Sequence, residues 1–231
     1  TAGASTVLSL STTIPGSDLS YYRVNLRQRY YQPLSSSLIF GFQGEFGYLS
    51  AYGETEETPF FQNFYAGGPR SLRGFESNTL GPRSTDAPCY EFNYAEETCP
   101  NLIDTDGDGE LDSPYINPYA NNTSRYRDAP IGGNIKIEGS LQLIFKLPFI
   151  EDQRSMRSAF FFDFGNVFSD NCKNYQINCY EASVDDLRYS YGVGVTWITG
   201  FGPMSFAISK PTNAGPQERT EEFQFTVGNV F

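Results

Sequence analysis

A glycine-rich stretch at residues 67–75 contains the side chain best suited to form a buried charged site. It runs Gly67-Gly68-Pro69-Arg70-Ser71-Leu72-Arg73-Gly74-Phe75. Glycine has no Cβ, so Gly74 allows the backbone to approach a wall of the fold closely. Arg73 then needs a carboxylate partner once its guanidinium leaves bulk water. The stretch therefore predicts an ion pair within the protein and no covalent chemistry.

A second candidate site is the acidic tract Asp104-Thr105-Asp106-Gly107-Asp108-Gly109-Glu110-Leu111-Asp112. Asp104, Asp106 and Asp108 occupy the first three oxygen-ligand positions of an EF-hand calcium loop. Position twelve of that pattern is Tyr115, where calcium needs a bidentate glutamate. The tract leaves two interpretations open, a weak Ca²⁺ site and a solvated acidic turn, and we expect no other cofactor.

The composition excludes most catalytic centres, because none of the 231 residues is histidine. Ser-His-Asp and Cys-His centres, HExxH helices and ordinary zinc sites all need an imidazole. The chain has 27 acidic and 16 basic side chains and a net charge of −11, which makes it a poor nucleic-acid binder. We expect neither an enzyme nor a nucleic-acid partner.

Aromatic residues are abundant, with 20 phenylalanines and 16 tyrosines, yet the mean hydropathy is only −0.41. No apolar run approaches the roughly 18 residues of a membrane-spanning helix, which excludes a helical membrane protein. A soluble β-sandwich and a membrane β-barrel remain, since spanning strands need only alternate apolar residues.

Alternation of apolar and polar residues recurs eight times and predicts eight strands, near 5–15, 22–30, 36–50, 134–147, 157–168, 187–199, 203–211 and 221–231. One parity is rich in aromatic rings, and the other carries charges beside many glycines. This contrast favours an all-β, antiparallel transmembrane β-barrel over a β-sandwich. Asp163 has the inward parity in an otherwise aromatic strand, so it is the predicted partner of Arg73. The alternative is an arginine solvated in the lumen.

Residues 51–133 form an insertion between the third and fourth predicted strands that is too long for an ordinary connection. It holds 14 acidic residues and five arginines, so it contributes −9 of the net charge. Long loops of membrane barrels face the outside of the cell. We predict one transmembrane barrel unit over residues 1–231, with a long acidic extracellular loop at 51–133.

Several of these stretches resemble the BamA family, the barrel subunits of the outer-membrane protein assembly machine. The resemblance rests on residues 63–68, the Arg73-Gly74-Phe75 tripeptide, residues 75–82, residues 160–168 and the terminal strand. It covers essentially the whole chain. It implies the last eight strands of a sixteen-strand barrel in the outer membrane of a Gram-negative bacterium, without the periplasmic POTRA domains.

The resemblance also implies roles for particular residues. In the family the loop carrying the tripeptide folds back into the lumen, and acids from two strands accompany it. Asp163 matches one of these acids, whereas Gln142 stands where the family has the second. Glu138 shares the inward parity and is a candidate substitute for the missing acid.

The end of the chain resembles the β-signal of outer-membrane proteins, through Phe223, Phe225, Val227, Gly228 and Phe231. In the family this strand meets the first strand at a weak seam, where client strands are inserted. An edge strand can offer its backbone groups to another chain, so the implied mechanism is templated strand pairing.

The four cysteines occur as Cys89-x9-Cys99 and Cys172-x6-Cys179, both in predicted loops. In an envelope protein an even number of cysteines indicates disulfides, here two local ones. The first pair also resembles a paired position in the family's loop. A four-cysteine metal site is disfavoured because the pairs are far apart and lack CxxC spacing.

The partners implied by the resemblance are outer-membrane lipids and lipopolysaccharide, nascent β-barrel proteins, and assembly lipoproteins bound through the periplasmic domains. Two-partner secretion transporters share the arginine-glycine-aromatic motif and are the alternative, exporting one protein through the pore. The lack of histidine disfavours an outer-membrane lipase or protease. Eight strands alone predict either a closed monomer or a two-fold pair of sixteen strands.

Overall fold

The computed structural model of the chain describes residues 2–14, 16–55, 57–83, 130–147, 155–172, 178–200, 202–215 and 218–228. The strands are β1 (Gly3–Thr12), β2 (Tyr21–Pro33), β3 (Leu38–Ala51), β4 (Ile135–Phe145), β5 (Met156–Phe168), β6 (Arg188–Thr199), β7 (Gly202–Thr212) and β8 (Phe223–Val227). One 3-10 turn, Phe60–Gln62, lies in the insertion. Within these ranges no helix is long and apolar enough to cross a membrane.

All eight strands lie in one antiparallel sheet in the order β1-β2-β3-β4-β5-β6-β7-β8. The predicted all-β fold and the eight predicted strands are confirmed. A β-sandwich is wrong for the described residues, since they contain a single sheet. In the part of the chain that the structure describes, each strand pairs with its neighbours in sequence, as expected when consecutive strands are joined by connections at alternate ends of the sheet.

No ladder among the described residues joins β1 to β8. Residues 64–83, which we call the lumen loop, cover the inner face of the sheet, whereas a closed eight-strand barrel is filled by the side chains of its own strands. Closure as an eight-strand monomer stays a prediction. Pairing of two copies stays a prediction.

The registers of the ladders place the apolar parity on one face of the sheet. Leu26, Phe46 and Ile137, for example, are successive partners across β2, β3 and β4. Further along the sheet, Phe160 and Ile208 are 53% and 66% exposed. A broad, exposed, aromatic-rich face is typical of strands that contact lipid.

The two ends of the sheet differ in the length of their connections. At one end, the turn end, the strands are joined by residues 34–37, 146–155 and 200–201. At the other, the loop end, they are joined by residues 13–20, 52–134, 169–187 and 213–222. This asymmetry matches the short periplasmic turns and longer outer loops of membrane barrels.

A cluster of buried apolar residues, the core cluster, lies between the inner face and the lumen loop. Its residues are Ala66, Leu72, Phe75, Leu80 and Val167. Four of these belong to the loop, and only Val167 belongs to a strand. The core therefore fixes the loop on the sheet and places the glycine-rich stretch against β4, β5 and β6.

Candidate functional site

Glycines shape the turn that delivers the arginine to the sheet. Gly67 and Gly68 have φ angles of +102° and +103°, in the left-handed region that glycine adopts readily. A Cβ on Gly67 would lie 2.5 Å from the carbonyl oxygen of Glu76. The Ser71 amide donates to the carbonyl of Gly68 at 3.0 Å, and the Gly68 amide donates to that of Leu72 at 3.2 Å. A tight turn therefore precedes Arg73.

Arg73 and Asp163 form a bidentate ion pair on the inner face. Nε of Arg73 donates to Oδ2 of Asp163 at 2.7 Å, and a terminal guanidinium nitrogen donates to Oδ1 at 2.7 Å. The backbone amide of Arg73 adds a third bond to Oδ2 at 3.2 Å. The two side chains are only 5% and 0% exposed. Such a pair is strong when its donors and acceptors are satisfied, as they are in this geometry.

The strands around the pair supply a fitted pocket for the guanidinium. It lies 3.4 Å from the centroid of the Phe161 ring, a cation–π contact. It also donates to the Ser140 hydroxyl at 3.0 Å. A Cβ on Gly192 would lie 2.8 Å from the Phe161 ring, so glycine at that position leaves room for the ring.

Gln142 and Glu138 reach the site indirectly. Gln142 donates to Ser140 at 3.2 Å, so the neutral residue at the position of the second family acid supports the hydroxyl that accepts from Arg73. Glu138 accepts a hydrogen bond from Ser71, whose hydroxyl also accepts from the Gly67 amide at 2.9 Å. Glu138 therefore holds the glycine turn.

Glu138 belongs to a line of charges that crosses the inner face. Lys136 pairs with Glu138 at 2.9 Å and with Glu45 at 3.6 Å. Glu45 in turn pairs with Arg27 at 3.2 Å. The line connects β2, β3 and β4 to the lumen loop, and sequence parity alone places all four side chains on this face.

Gly74 and Phe75 carry the loop onto the last strand. Gly74 has a φ of +89°, and a Cβ there would lie 3.0 Å from the Ser209 hydroxyl. Gln224 of β8 accepts from the Gly74 amide at 3.3 Å and donates to the Phe75 carbonyl at 2.8 Å. Because Gln224 is only 1% exposed, these bonds are shielded from water.

The tripeptide also pairs through its backbone with residues 218–222, which we call the β8 approach. Phe75 and Thr220 form an antiparallel bridge. The Glu76 amide donates to the Arg219 carbonyl, and the Glu221 amide donates to the Gly74 carbonyl, each at 2.9 Å. This contact is not predictable from the pattern of the sequence. Its one local signal is Gln224, a polar residue of inward parity between two phenylalanines.

The terminal strand presents the side chains of the predicted β-signal outward. Phe223, Phe225 and Val227 are 58%, 46% and 52% exposed, and Gly228 donates its amide to the carbonyl of Pro203 at 2.7 Å. Within the described part of the chain β8 has a ladder on its β7 side only, so its other edge offers backbone groups for pairing. Phe231 lies outside the described residues.

A second buried ion pair joins Arg188 of β6 to Glu218 of the β8 approach. The distance from Nε to Oε2 is 2.7 Å, and the side chains are 4% and 0% exposed. The inward parity of Arg188 is visible in the sequence. Its partner is not, because Glu218 lies in a connection without periodic pattern.

Cys172 and Cys179 form a disulfide, as predicted, with a Cα–Cα distance of 5.6 Å. The other pair, Cys89 and Cys99, lies outside the described residues and stays a prediction, as does calcium binding by Asp104, Asp106 and Asp108. Across the ranges that the structure describes, no group of three or more Cys, Asp or Glu side chains is arranged to hold a metal ion.

The arrangement holds a loop against a sheet by charge pairing and presents the free edge of a terminal strand. The Omp85 superfamily domain matches residues 1–231. The outer membrane protein assembly factor BamA of Neisseria meningitidis serogroup B is 31% identical over 249 residues, which cover 100% of this chain and 26% of that protein.

Among solved structures, BamA from Haemophilus ducreyi lacking POTRA domains 1–3 is similar, with a TM-score of 0.72 at 29% identity. The match covers 98% of this chain and 38% of that chain. The present chain thus spans well under half of either relative. The motif-based resemblance to the BamA family is confirmed, and the chain belongs to the Omp85 superfamily as a segment of a BamA-like barrel.

Proposed function

We propose that this chain is part of the barrel subunit of an outer-membrane protein assembly machine, which inserts and folds client β-barrels. The observation that carries the proposal is the buried Arg73–Asp163 pair, which fixes the tripeptide against the β8 approach. The similarity to an assembly factor across the whole chain supports it. Client barrels are inserted and folded by strand pairing and local membrane perturbation, without an enzymatic step or a bound nucleotide.

The subunit is an integral protein of the outer membrane of a Gram-negative bacterium. Its aromatic outer face contacts lipid, and the loop end, with the acidic insertion 51–133, faces outward toward lipopolysaccharide. Assembly lipoproteins are further partners of the subunit, as the similarity to the BamA family implies. The lipid-facing surface is assigned from the exposed apolar side chains, and the outward-facing loop end from the length asymmetry of the connections.

The proposed mechanism uses β8 as a template at a lateral seam. A client strand adds to the free edge of β8 by β-augmentation, exchanging backbone hydrogen bonds. Among the described residues the ladder to β7 spans Phe223–Val227, and a ladder of few backbone hydrogen bonds is easily displaced at its end. Gln224 accepts from the Gly74 amide and donates to the Phe75 carbonyl, and these two bonds hold the start of β8 and so set the register in which a client can pair.

Depletion of the full-length protein tests the function. Quantitative proteomics of the outer membrane is expected to show a fall across many unrelated β-barrels. Loss of a single secreted protein with the other barrels intact would overturn the proposal in favour of a two-partner secretion transporter.

Complementation tests the role of the site. We expect full-length protein carrying Arg73→Ala to restore barrel assembly poorly, because the tripeptide loses its anchor. Arg70→Ala is the matched control, since Arg70 is an exposed arginine of the same loop. Equal rescue by both variants at equal abundance would exclude a role for the ion pair in assembly.

A further inference from the structure

The Arg188–Glu218 pair lies where two connections of the loop end meet. Arg188 is the first residue of β6, and Glu218 follows β7 in the connection to β8. The same carboxylate oxygen that accepts from Nε of Arg188 also accepts from the Gly215 amide at 2.6 Å. A terminal nitrogen of Arg188 donates to the carbonyl of Asp186 at 3.0 Å. The pair therefore holds the connections 169–187 and 213–222 at the first residue of β6.

Glu218 is continuous with the residues that hold the tripeptide. The next three residues along the chain make the backbone contacts with the lumen loop already described. Arg219 adds one more, since its amide donates to the Thr79 hydroxyl at 3.0 Å. The β8 approach is thus fixed at one end by Arg188 and along its length by the lumen loop.

The disulfide-bearing connection covers the pair from a third side. Asn178 is 5% exposed, and its Oδ1 would lie 2.9 Å from a Cβ on Gly215. The Tyr180 ring centroid is 5.5 Å from the Arg188 guanidinium. Cys179 stands between these two residues, and its bond to Cys172 ties them to the end of β5.

We propose that Arg188 and Glu218 are positioning residues for the β8 template, and that the Cys172–Cys179 disulfide keeps this clamp closed. The proposal rests on the proposed function. The clamp, which is the Arg188–Glu218 pair, holds the β8 approach in the position where it bonds to the tripeptide and where Gln224 reaches Gly74 and Phe75. Without the disulfide, Tyr180 beside Arg188 and Asn178 beside Gly215 lose their tie to Cys172, and the clamp opens more often.

The test uses the full-length protein in lipid vesicles, with hydrogen exchange over peptides that contain Glu76 and Glu221. Glu218→Gln leaves Arg188 buried without a counter-charge, and we expect exchange at both peptides to rise at least tenfold. Glu218→Asp keeps the charge and is expected to stay within threefold of the wild type. Lys210→Ala is the control, because it breaks the exposed Lys210–Glu222 pair of the same hairpin.

The assembly of a client barrel by the same vesicles is measured in parallel. We expect Glu218→Gln to slow it at least fivefold, while Glu218→Asp and Lys210→Ala keep the wild-type rate. Slowing by Arg73→Ala with no slowing by Glu218→Gln would overturn the clamp and leave the proposed function standing. Failure of the wild-type vesicles to assemble the client barrel would contradict the proposed function itself.

Reduction of the wild-type protein gives a second measurement that does not depend on the folding of a variant. Dithiothreitol is expected to raise exchange in the peptide containing Glu221 at least threefold, and Cys172→Ser with Cys179→Ser should reproduce the effect without reductant. Unchanged exchange in both samples would overturn the role of the disulfide.

Discussion

Replacement of Asp163 by asparagine isolates the contribution of the buried charge pair. Asp163 accepts three hydrogen bonds from Arg73, two of them at 2.7 Å, and the side chains are 5% and 0% exposed. Asp163→Asn keeps the size of the side chain but leaves the guanidinium without a counter-charge. Removing one partner of a buried ion pair costs about 3–5 kcal/mol.

This free-energy cost shifts the equilibrium of the lumen loop from the docked state toward the open state. Since about 1.4 kcal/mol is a factor of ten, the docked loop should open roughly 100- to 3,000-fold more often. We expect the lower end of that range, because the Phe161 ring and the Ser140 hydroxyl still contact the guanidinium. Stability is lost locally, since the strand ladders are unchanged.

Hydrogen exchange of the Glu76 and Glu221 amides in the full-length protein measures this opening. Both amides donate hydrogen bonds across the contact between the lumen loop and the β8 approach, so both become exchangeable when the loop lifts. Asp170→Asn is the matched control, because Asp170 is exposed and accepts from the amide group of Asn134 at 2.8 Å. If Asp163→Asn changed exchange less than threefold, the ion pair would not be what holds the loop.

Three further changes test neighbouring parts of the site by limited proteolysis of the lumen loop in the full-length protein. Gln142→Glu adds a carboxylate beside Ser140 and should slow cleavage up to about tenfold; faster cleavage would contradict the charge argument. Gly74→Ala places a Cβ at a φ of +89°, which destabilises the docked loop by about 1–2 kcal/mol. Cleavage should be roughly 5- to 30-fold faster. Cleavage at the wild-type rate would show that the turn is unstrained. Phe75→Ala empties a fully buried position, costs about 3–5 kcal/mol and should speed cleavage at least 100-fold. A stable loop in that variant would show that the core cluster does not hold it.

The strands were predictable because lipid and lumen demand opposite side chains on alternate residues. In β6, Tyr191 and Val193 face outward and alternate with Gly192 and Gly194, which face inward. The same contrast between large apolar and small or polar residues recurs in the other strands. Periodicity determines the faces of strands that neighbour one another in sequence. It leaves open whether the sheet closes, since closure depends on what fills the lumen.

The sequence by itself determined the eight-strand pattern, the inward parity of Asp163 and the glycine turn that precedes Arg73. The structure places those two side chains together across 90 residues of chain. Only the tertiary structure decided the contact of Phe75 with Gln224, 149 residues away, and the partner of Arg188. Both depend on the path of a connection without periodicity, and a path of that kind is set by packing against the inner face rather than by local pattern.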